Sequence, residues 1–134
     1  MLNNSCPFCL SNNLLKGKVV YQDSLFYAIS PDVEGIIYAG IMIVPIRHSE
    51  SPFELSKEEW MHIHMILPKL KKYIDDTEHP DGYNMGWNIG DIAGQKVKHT
   101  HLHFFGRFLD EPLNGKGIRF IFKQSQNKRP NKII

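Results

Sequence analysis

The run His99-Thr100-His101-Leu102-His103-Phe104-Phe105 sets three imidazoles at alternate positions in an apolar stretch. Alternation of this kind reads as an extended strand, in which residues two apart share a face and lie roughly 7 Å apart by Cα. The histidines then line one face, while Leu102 and Phe104 point to the other. A buried imidazole carries a desolvation cost and needs a hydrogen-bond partner, so three in register indicate chemistry rather than packing. One face of the strand buries and the other reacts.

The rest of the chain supplies a fold for that strand. Lys18 to Gln22 and Leu25 to Ile29 are β-branched and aromatic, with a polar break at Asp23-Ser24, which predicts two strands joined by a tight turn and ended by Ser30-Pro31-Asp32. Ile36 to Pro45, with Gly35 and Gly40 as breaks, predicts a buried strand leading into Ile46-Arg47-His48. Ser56-Lys57-Glu58-Glu59 is a capping box that opens one long helix with Trp60, Ile63, Leu67, Leu70 and Ile74 on its apolar stripe. Pro68 inside it removes a backbone donor and predicts a kink or an early break. His62 and His64, two apart on a helix, point to different sides and read as surface or boundary residues without a role. From Gly82 the pattern alternates, Tyr83, Met85, Trp87 and Ile89 against Asn84, Gly86, Asn88 and Gly90, as in a half-buried strand. A loop, Gly90-Asp91-Ile92-Ala93-Gly94-Gln95, then delivers the chain to the histidines. The sum is an α+β domain, an antiparallel sheet with the helix on one face.

The 134 residues fit one compact domain. With 42% hydrophobic and 22% charged residues the composition is that of a soluble globular protein, and no apolar run is long enough for a bilayer, so no membrane partner is expected. The first five residues lack a basic region followed by an apolar one, which predicts a cytoplasmic location. The net charge of +2 is nearly balanced, and Lys123, Lys128, Arg129 and Lys132 have no regularly interleaved aromatics, so dedicated nucleic-acid binding is not expected. That tail reads as a solvated, partly disordered end, able to lie over a neighbouring subunit or an anionic ligand.

A loop of small residues beside a strand presents backbone N–H groups to an anion, and Asn88, Gln95 and Lys96 add side-chain donors. A phosphate suits such a loop. The middle histidine is placed to attack phosphorus if its other nitrogen is held by an acceptor, and its neighbours can bind phosphoryl oxygens or protonate a leaving group. Cys6-Pro7-Phe8-Cys9 is the only cysteine pair and reads as a metal clip or a redox pair before a disulfide. Two thiolates leave a tetrahedral zinc shell half filled, and histidines are the usual remaining donors.

These residues resemble the histidine-triad (HIT) nucleotide hydrolases and transferases, whose signature is His-x-His-x-His followed by apolar residues. Thr100 is the one polar residue at a usually apolar position of that signature. Gly82-Tyr83-Asn84-Met85-Gly86-Trp87-Asn88 looks like the family's preceding strand, Gly94-Gln95 like its phosphate loop, and Val44-Pro45-Ile46-Arg47-His48 like its upstream Pro-basic-basic-His segment. The likeness covers about residues 6 to 107.

The resemblance implies a HIT-like fold, an about five-stranded antiparallel sheet with one long helix and a short helix or turn, assembled as a homodimer. It implies a HIT domain over residues 1–110 and a C-terminal extension over 111–134. Carried across by position, His101 is the nucleophile and His103 a ligand of the α-phosphate. Asn88, Gln95, Lys96 and Val97 lie at the phosphates, and Phe8, Phe26, Tyr27 and Ile29 build the base and ribose pocket of a purine nucleotide. Family members with an N-terminal CxxC imply one structural zinc held by Cys6, Cys9, His48 and His99, so His99 fixes the start of the catalytic strand. Two positions depart from the family. Ala28 stands where an acidic residue commonly holds the ribose hydroxyls, and Lys96 stands where Ser or Thr is usual, implying a longer or more anionic leaving group.

The implied activity is splitting of dinucleoside polyphosphates or nucleoside phosphoramidates through a covalent nucleotidyl-His101. A metalloenzyme with a catalytic ion on His99, His101 and His103 is a second reading, although alternate positions of one straight strand make a poor tetrahedral chelate. A nucleotide-binding regulatory or scaffold protein with little turnover is the third.

Overall fold

The computed structural model describes residues 4–32 and 39–131. Strands β1 (Gly17–Gln22) and β2 (Phe26–Pro31) form an antiparallel hairpin closed at the expected polar break. Asp23 makes the turn: its Oδ1 accepts from the backbone N–H of Leu25 at 2.8 Å and of Phe26 at 2.9 Å. A carboxylate that satisfies two local donors is the reason Asp suits such a turn. β3 (Gly40–Pro45) pairs antiparallel with β2, while the predicted strand residues 36–38 lie outside the described residues.

Helix α1 (Lys57–Glu78) is opened by the predicted capping box: Ser56 Oγ accepts from Glu59 N at 3.1 Å, and Glu59 Oε1 accepts from Ser56 N at 2.8 Å. It ends at His79 with φ 52°, and Pro80 follows. The early break expected at Pro68 does not occur, since α1 runs through it to Glu78. Pro68 is exposed, so the lost hydrogen bond falls on the solvent side. Its cost of about 3 kcal/mol is opposed by burial of Ile63, Ile66, Leu70 and Ile74, each worth roughly 1.5–3 kcal/mol. The buried stripe also differs from the predicted one: Ile66 is inside, Leu67 is half-buried, and Trp60 is 40% exposed, edge-on to Trp87 with ring centroids 5.4 Å apart.

β4 (Gly82–Gly86) and β5 (Leu102–Arg107) complete a five-stranded antiparallel sheet of order β1-β2-β3-β5-β4. β4 ends before Trp87, so the alternation read through Asn88 and Gly90 continues as loop. Strand periodicity divides the side chains cleanly. Phe26, Ala28, Ile41, Ile43, Leu102 and Phe104 pack under α1. Tyr27, Ile29, Met42 and Val44 face the other way, covered by Cys6, Phe8 and Cys9. Beyond β5 the chain forms short 3-10 turns at Ile118–Lys123 and Ser125–Asn127, more order than the predicted tail.

Candidate active site and metal centre

Of the three alternating histidines only His103 lies within β5, opposite Met42 of β3 and Gly86 of β4. The expectation of one strand through all three is corrected by where the backbone bonds. Thr100 N–H donates to Ser49 O at 2.6 Å, and the two hydroxyls meet at 2.8 Å, so residues 99–101 are tied to the segment after β3 rather than to a ladder. The alternation of faces survives, with Leu102 and Phe104 under α1 and the rings of His101 and His103 meeting at 4.9 Å. Ser49 is the partner that sequence reasoning missed. A buried Thr at an apolar position was its signal, because that hydroxyl needed a mate.

Cys6, Cys9, His48 and His99 come together with their ligand atoms all within 4.8 Å of one another. His48 Nδ1 lies 3.2 Å from His99 Nδ1, Cys9 Sγ lies 3.2 Å from His48 Nδ1 and 3.6 Å from His99 Nδ1, and Cys6 Sγ lies 3.4 Å from His99 Nδ1. Tetrahedral bonding at about 2.05 Å to nitrogen and about 2.3 Å to sulfur gives edges of about 3.3 Å for N···N and about 3.6 Å for S···N. The donor set fits a single tetrahedral metal ion. His99 Nε2–H donates to Pro45 O at 2.8 Å, which leaves Nδ1 with the lone pair aimed into the cluster. Burial pushes the His99 pKa down to about 4, which keeps the ring neutral, as a ligand must be. The knuckle is held in place by Asn12 Nδ2–H on Cys6 O (2.8 Å) and Tyr27 O–H on Phe8 O (2.7 Å).

His101 is buried beside this cluster, with the Phe8 ring edge-on at 5.0 Å. Its Nδ1 lies 2.7 Å from the carbonyl oxygen of His99, so Nδ1 carries the proton and Nε2 keeps the lone pair. Burial lowers its pKa, opposed by that hydrogen bond, and the ring is neutral at pH 7. Burial, followed by the neighbouring His101, brings His103 down to about 4. The site thus combines a neutral, oriented imidazole with a second ring in contact.

The expected nucleotide residues divide. Phe8, Tyr27, Ile29 and Val97 gather on the histidine face. Phe26 does not, because one step along β2 turns it under α1, where it packs with Ile63 and Leu70. Ala28 is also under α1, so its position offers the histidine face no side chain. In the loop, Asn88 and Lys96 are exposed. Gln95 is buried and spends its amide on backbone: Oε1 accepts from Gly90 N at 2.8 Å, and Nε2 donates to Glu50 O at 2.9 Å and Val97 O at 3.0 Å. In this arrangement Gln95 braces the loop, and both of its N–H donors are taken.

Two further clusters had no sequence signal. Arg47 donates through Nη2 and Nε to Glu59 at 2.7 and 3.3 Å, and through Nη2 to Glu54 O at 2.8 Å, which locks the segment bearing His48 onto the start of α1. His62, expected to be idle, meets Asp23 Oδ2 at 2.5 Å and stacks on Phe26 at 5.9 Å, joining α1 to the first hairpin.

A family model described as the HIT domain matches residues 13–110. The chain belongs to the HIT family. This HIT protein is 30% identical over 118 residues to the protein named "Protein hit" of Bacillus subtilis, an alignment covering 87% of this chain and 76% of the relative. It is 28% identical over 122 residues to the adenosine 5'-monophosphoramidase HNT1 of Candida albicans, covering 85% and 76%. Its fold superposes on the crystal structure of a HIT family protein from Bacillus anthracis with a TM-score of 0.71 and 29% identity, over 81% of this chain and 77% of the other.

Proposed function

We propose that this HIT protein is a nucleotide hydrolase or nucleotidyl transferase working through a covalent nucleotidyl-His101. The observation that carries the reading is the His101 Nδ1–H bond to the carbonyl of His99, which leaves Nε2 unprotonated in a neutral, buried ring. Nε2 forms the bond to the α-phosphorus as the bond to the leaving group breaks. The bonding pair departs with that group, which takes up a proton. Water then bonds to phosphorus, the N–P bond breaks with its pair returning to Nε2, and the water proton passes to solvent, releasing the nucleoside monophosphate. His103 binds the phosphoryl oxygens. Asn88, Lys96 and the loop backbone contact the phosphates, Gln95 holds the loop's shape, and Phe8 and Val97 form the apolar floor for a purine nucleoside, with the fully buried Tyr27 and Ile29 packed behind them. Likeness to a monophosphoramidase supports nucleoside phosphoramidates as substrates, beside dinucleoside polyphosphates.

Cys6, Cys9, His48 and His99 would hold zinc, which supplies cross-linking of the knuckle to the catalytic segment and no chemical step. A catalytic ion on the three triad rings is disfavoured, because His99 Nδ1 faces the cysteines while His101 Nδ1 is spent on a backbone carbonyl. A homodimer joined along β4 completes the reading: β4 is an edge strand, Met85 on it is 44% exposed, and the exposed Trp60 stands against Trp87 beside it.

Intact-protein mass spectrometry under non-acid conditions, after brief exposure to adenosine 5'-phosphoramidate or diadenosine tetraphosphate, tests the chemistry. Wild type is expected to show a nucleotidyl adduct or AMP release that His101→Gly lacks. Neither product from folded, metal-loaded wild type would instead favour a binding protein.

A further inference from the structure

Residues 48–49 and 99–100 form two matched dipeptides, each a histidine of the metal cluster followed by a buried hydroxyl residue. His48 meets His99, and Ser49, 5% exposed, meets Thr100, 2% exposed. The hydroxyl pair has one proton arrangement. Thr100 Oγ1–H donates to Ser49 O at 3.1 Å, so the 2.8 Å contact between the hydroxyls is Ser49 Oγ–H donating to Thr100 Oγ1. Ser49 O also accepts from Thr100 N–H at 2.6 Å, which fills both of its lone pairs. Mutual satisfaction of two buried hydroxyls explains why they pair but not why they pair at this point of the chain.

The point matters because of the peptide that is gripped. Thr100 N–H and the His99 carbonyl belong to one planar trans peptide unit, in which they point in opposite directions. Ser49 O holds the N–H end. The carbonyl end is therefore turned away from Ser49, where it accepts from His101 Nδ1–H at 2.7 Å. Rotation of this unit would take the carbonyl off Nδ1 and remove what fixes the tautomer. The two bonds also lie in series through one amide, and each strengthens the other.

Ser49 is itself anchored on both sides. Arg47 is bonded to Glu59 and to Glu54 O at the start of α1, while Glu50 O accepts from Gln95 Nε2 at 2.9 Å and Glu50 N–H donates to Glu54 Oε1 at 2.7 Å. An apolar residue at position 100 would keep the backbone N–H bond alone. The two hydroxyls add two further bonds that hold the Ser49 carbonyl against the His99–Thr100 peptide.

We infer that Ser49 and Thr100 are positioning residues for His101, acting through the His99–Thr100 peptide to keep the proton on Nδ1 and the lone pair on Nε2. The inference rests on the proposed nucleotidyl chemistry, and neither side chain takes part in a bond that forms or breaks.

The test compares wild type with Thr100→Val, which nearly keeps the shape and loses the hydroxyl, and with Thr100→Ser, which regains it. Long-range proton–nitrogen NMR correlation of metal-loaded protein with nitrogen-labelled histidine reads the tautomer, the His101 signals being assigned by their loss in His101→Gly. Steady-state kinetics with adenosine 5'-phosphoramidate read its use. Wild type is expected to carry the His101 proton on Nδ1. Thr100→Val should show a mixture of both tautomers and a kcat lower by on the order of tenfold with little change in KM, and Thr100→Ser should restore both. Ser49→Ala keeps both bonds to Ser49 O, so it should show the same changes at smaller size, and it carries the test if Thr100→Val does not fold. A folded, metal-loaded variant with wild-type tautomer and kcat would overturn the inference and leave the proposed activity standing. A fall in kcat without a tautomer change, or one that Thr100→Ser does not restore, would also overturn it, by reducing the pair to packing. A His101 tautomer that depends on Thr100 in a protein that turns over no nucleotide would overturn the proposed activity and leave the coupling of Thr100 to His101 standing.

Discussion

Removing the metal separates a structural centre from a catalytic one, and its size follows from the site. The four donors come from three separated segments, with Cys6 and His99 93 positions apart, so an unfolded chain cannot present them together. An ion that binds the folded form alone stabilises it by RT ln(1 + [L]/Kd), about 4 kcal/mol when free metal is 1,000 times Kd. With an unfolding entropy of about 2.1 cal/mol/K per residue, or roughly 0.28 kcal/mol/K for 134 residues, that is a Tm difference of about 15 °C. The fold itself should survive chelation, because the core under α1 holds eleven buried residues among the described ones and uses none of the four donors. Differential scanning calorimetry with and without a zinc chelator, paired with metal analysis of the purified protein, measures both quantities. Cys9→Ala should carry less metal and show a much smaller chelator shift. A chelator-insensitive Tm in wild type, or an undiminished shift in Cys9→Ala, would refute the reasoning.

Arg47→Met would strand Glu59, which is only 4% exposed, beside the segment that carries His48. Removing one partner of a buried pair costs about 3–5 kcal/mol, but Arg47 is 49% exposed and water replaces part of the loss, so about 1–2 kcal/mol in urea unfolding is expected. No change would show that Glu59 is served by Ser56 alone. Acid sensitivity follows from two carboxyls. Partial burial would raise Asp23, but hydrogen bonds from Tyr21, His62 and the N–H groups of Phe26 and Leu25 outweigh it and hold its pKa well below the usual range. In Glu59 burial is likewise outweighed by Arg47 and Ser56. Both folded pKa values lie below the unfolded ones, so this stability is complete above about pH 4.5 and falls away as pH drops through the folded values. Asp23→Asn should flatten the fall in Tm below pH 4.5, and an identical pH profile would remove Asp23 from the account. In Gly40→Ala the new Cβ would lie 2.4 Å from Phe105 Cβ and 2.9 Å from Phe104 O, forcing β3 and β5 apart at an expected cost of about 1–3 kcal/mol in urea unfolding. A wild-type midpoint would mean that the strands give way freely there.

What the sequence determined by itself was whatever local chemistry enforces. Ser56 and Glu59 announced the start of α1 because a capping box is a four-residue device, and Asp23-Ser24 announced a turn because Asp can satisfy its own following backbone. The histidine alternation was legible for the same reason, since a period of two needs no information beyond the segment. Family resemblance then joined Cys6 and Cys9 to His48 and His99, and the structure brings all four within reach of one ion.

Tertiary structure decided everything that depends on which distant group meets which. Pro68 breaks an isolated helix, but packing of α1 onto the sheet holds this one together. Phe26 and Tyr27 are neighbours in sequence and sit on opposite faces, so only the register of β2 against β3 could say which one the site keeps. Thr100 found Ser49, Glu59 found Arg47 and Asp23 found His62 across 51, 12 and 39 positions, pairings that no local pattern encodes. The tautomer of His101 is set by a group only two residues back, yet it depends on the backbone path that tying Thr100 to Ser49 imposes. Any histidine has two nitrogens, and only the fold brought a carbonyl to one of them and left the other free to react.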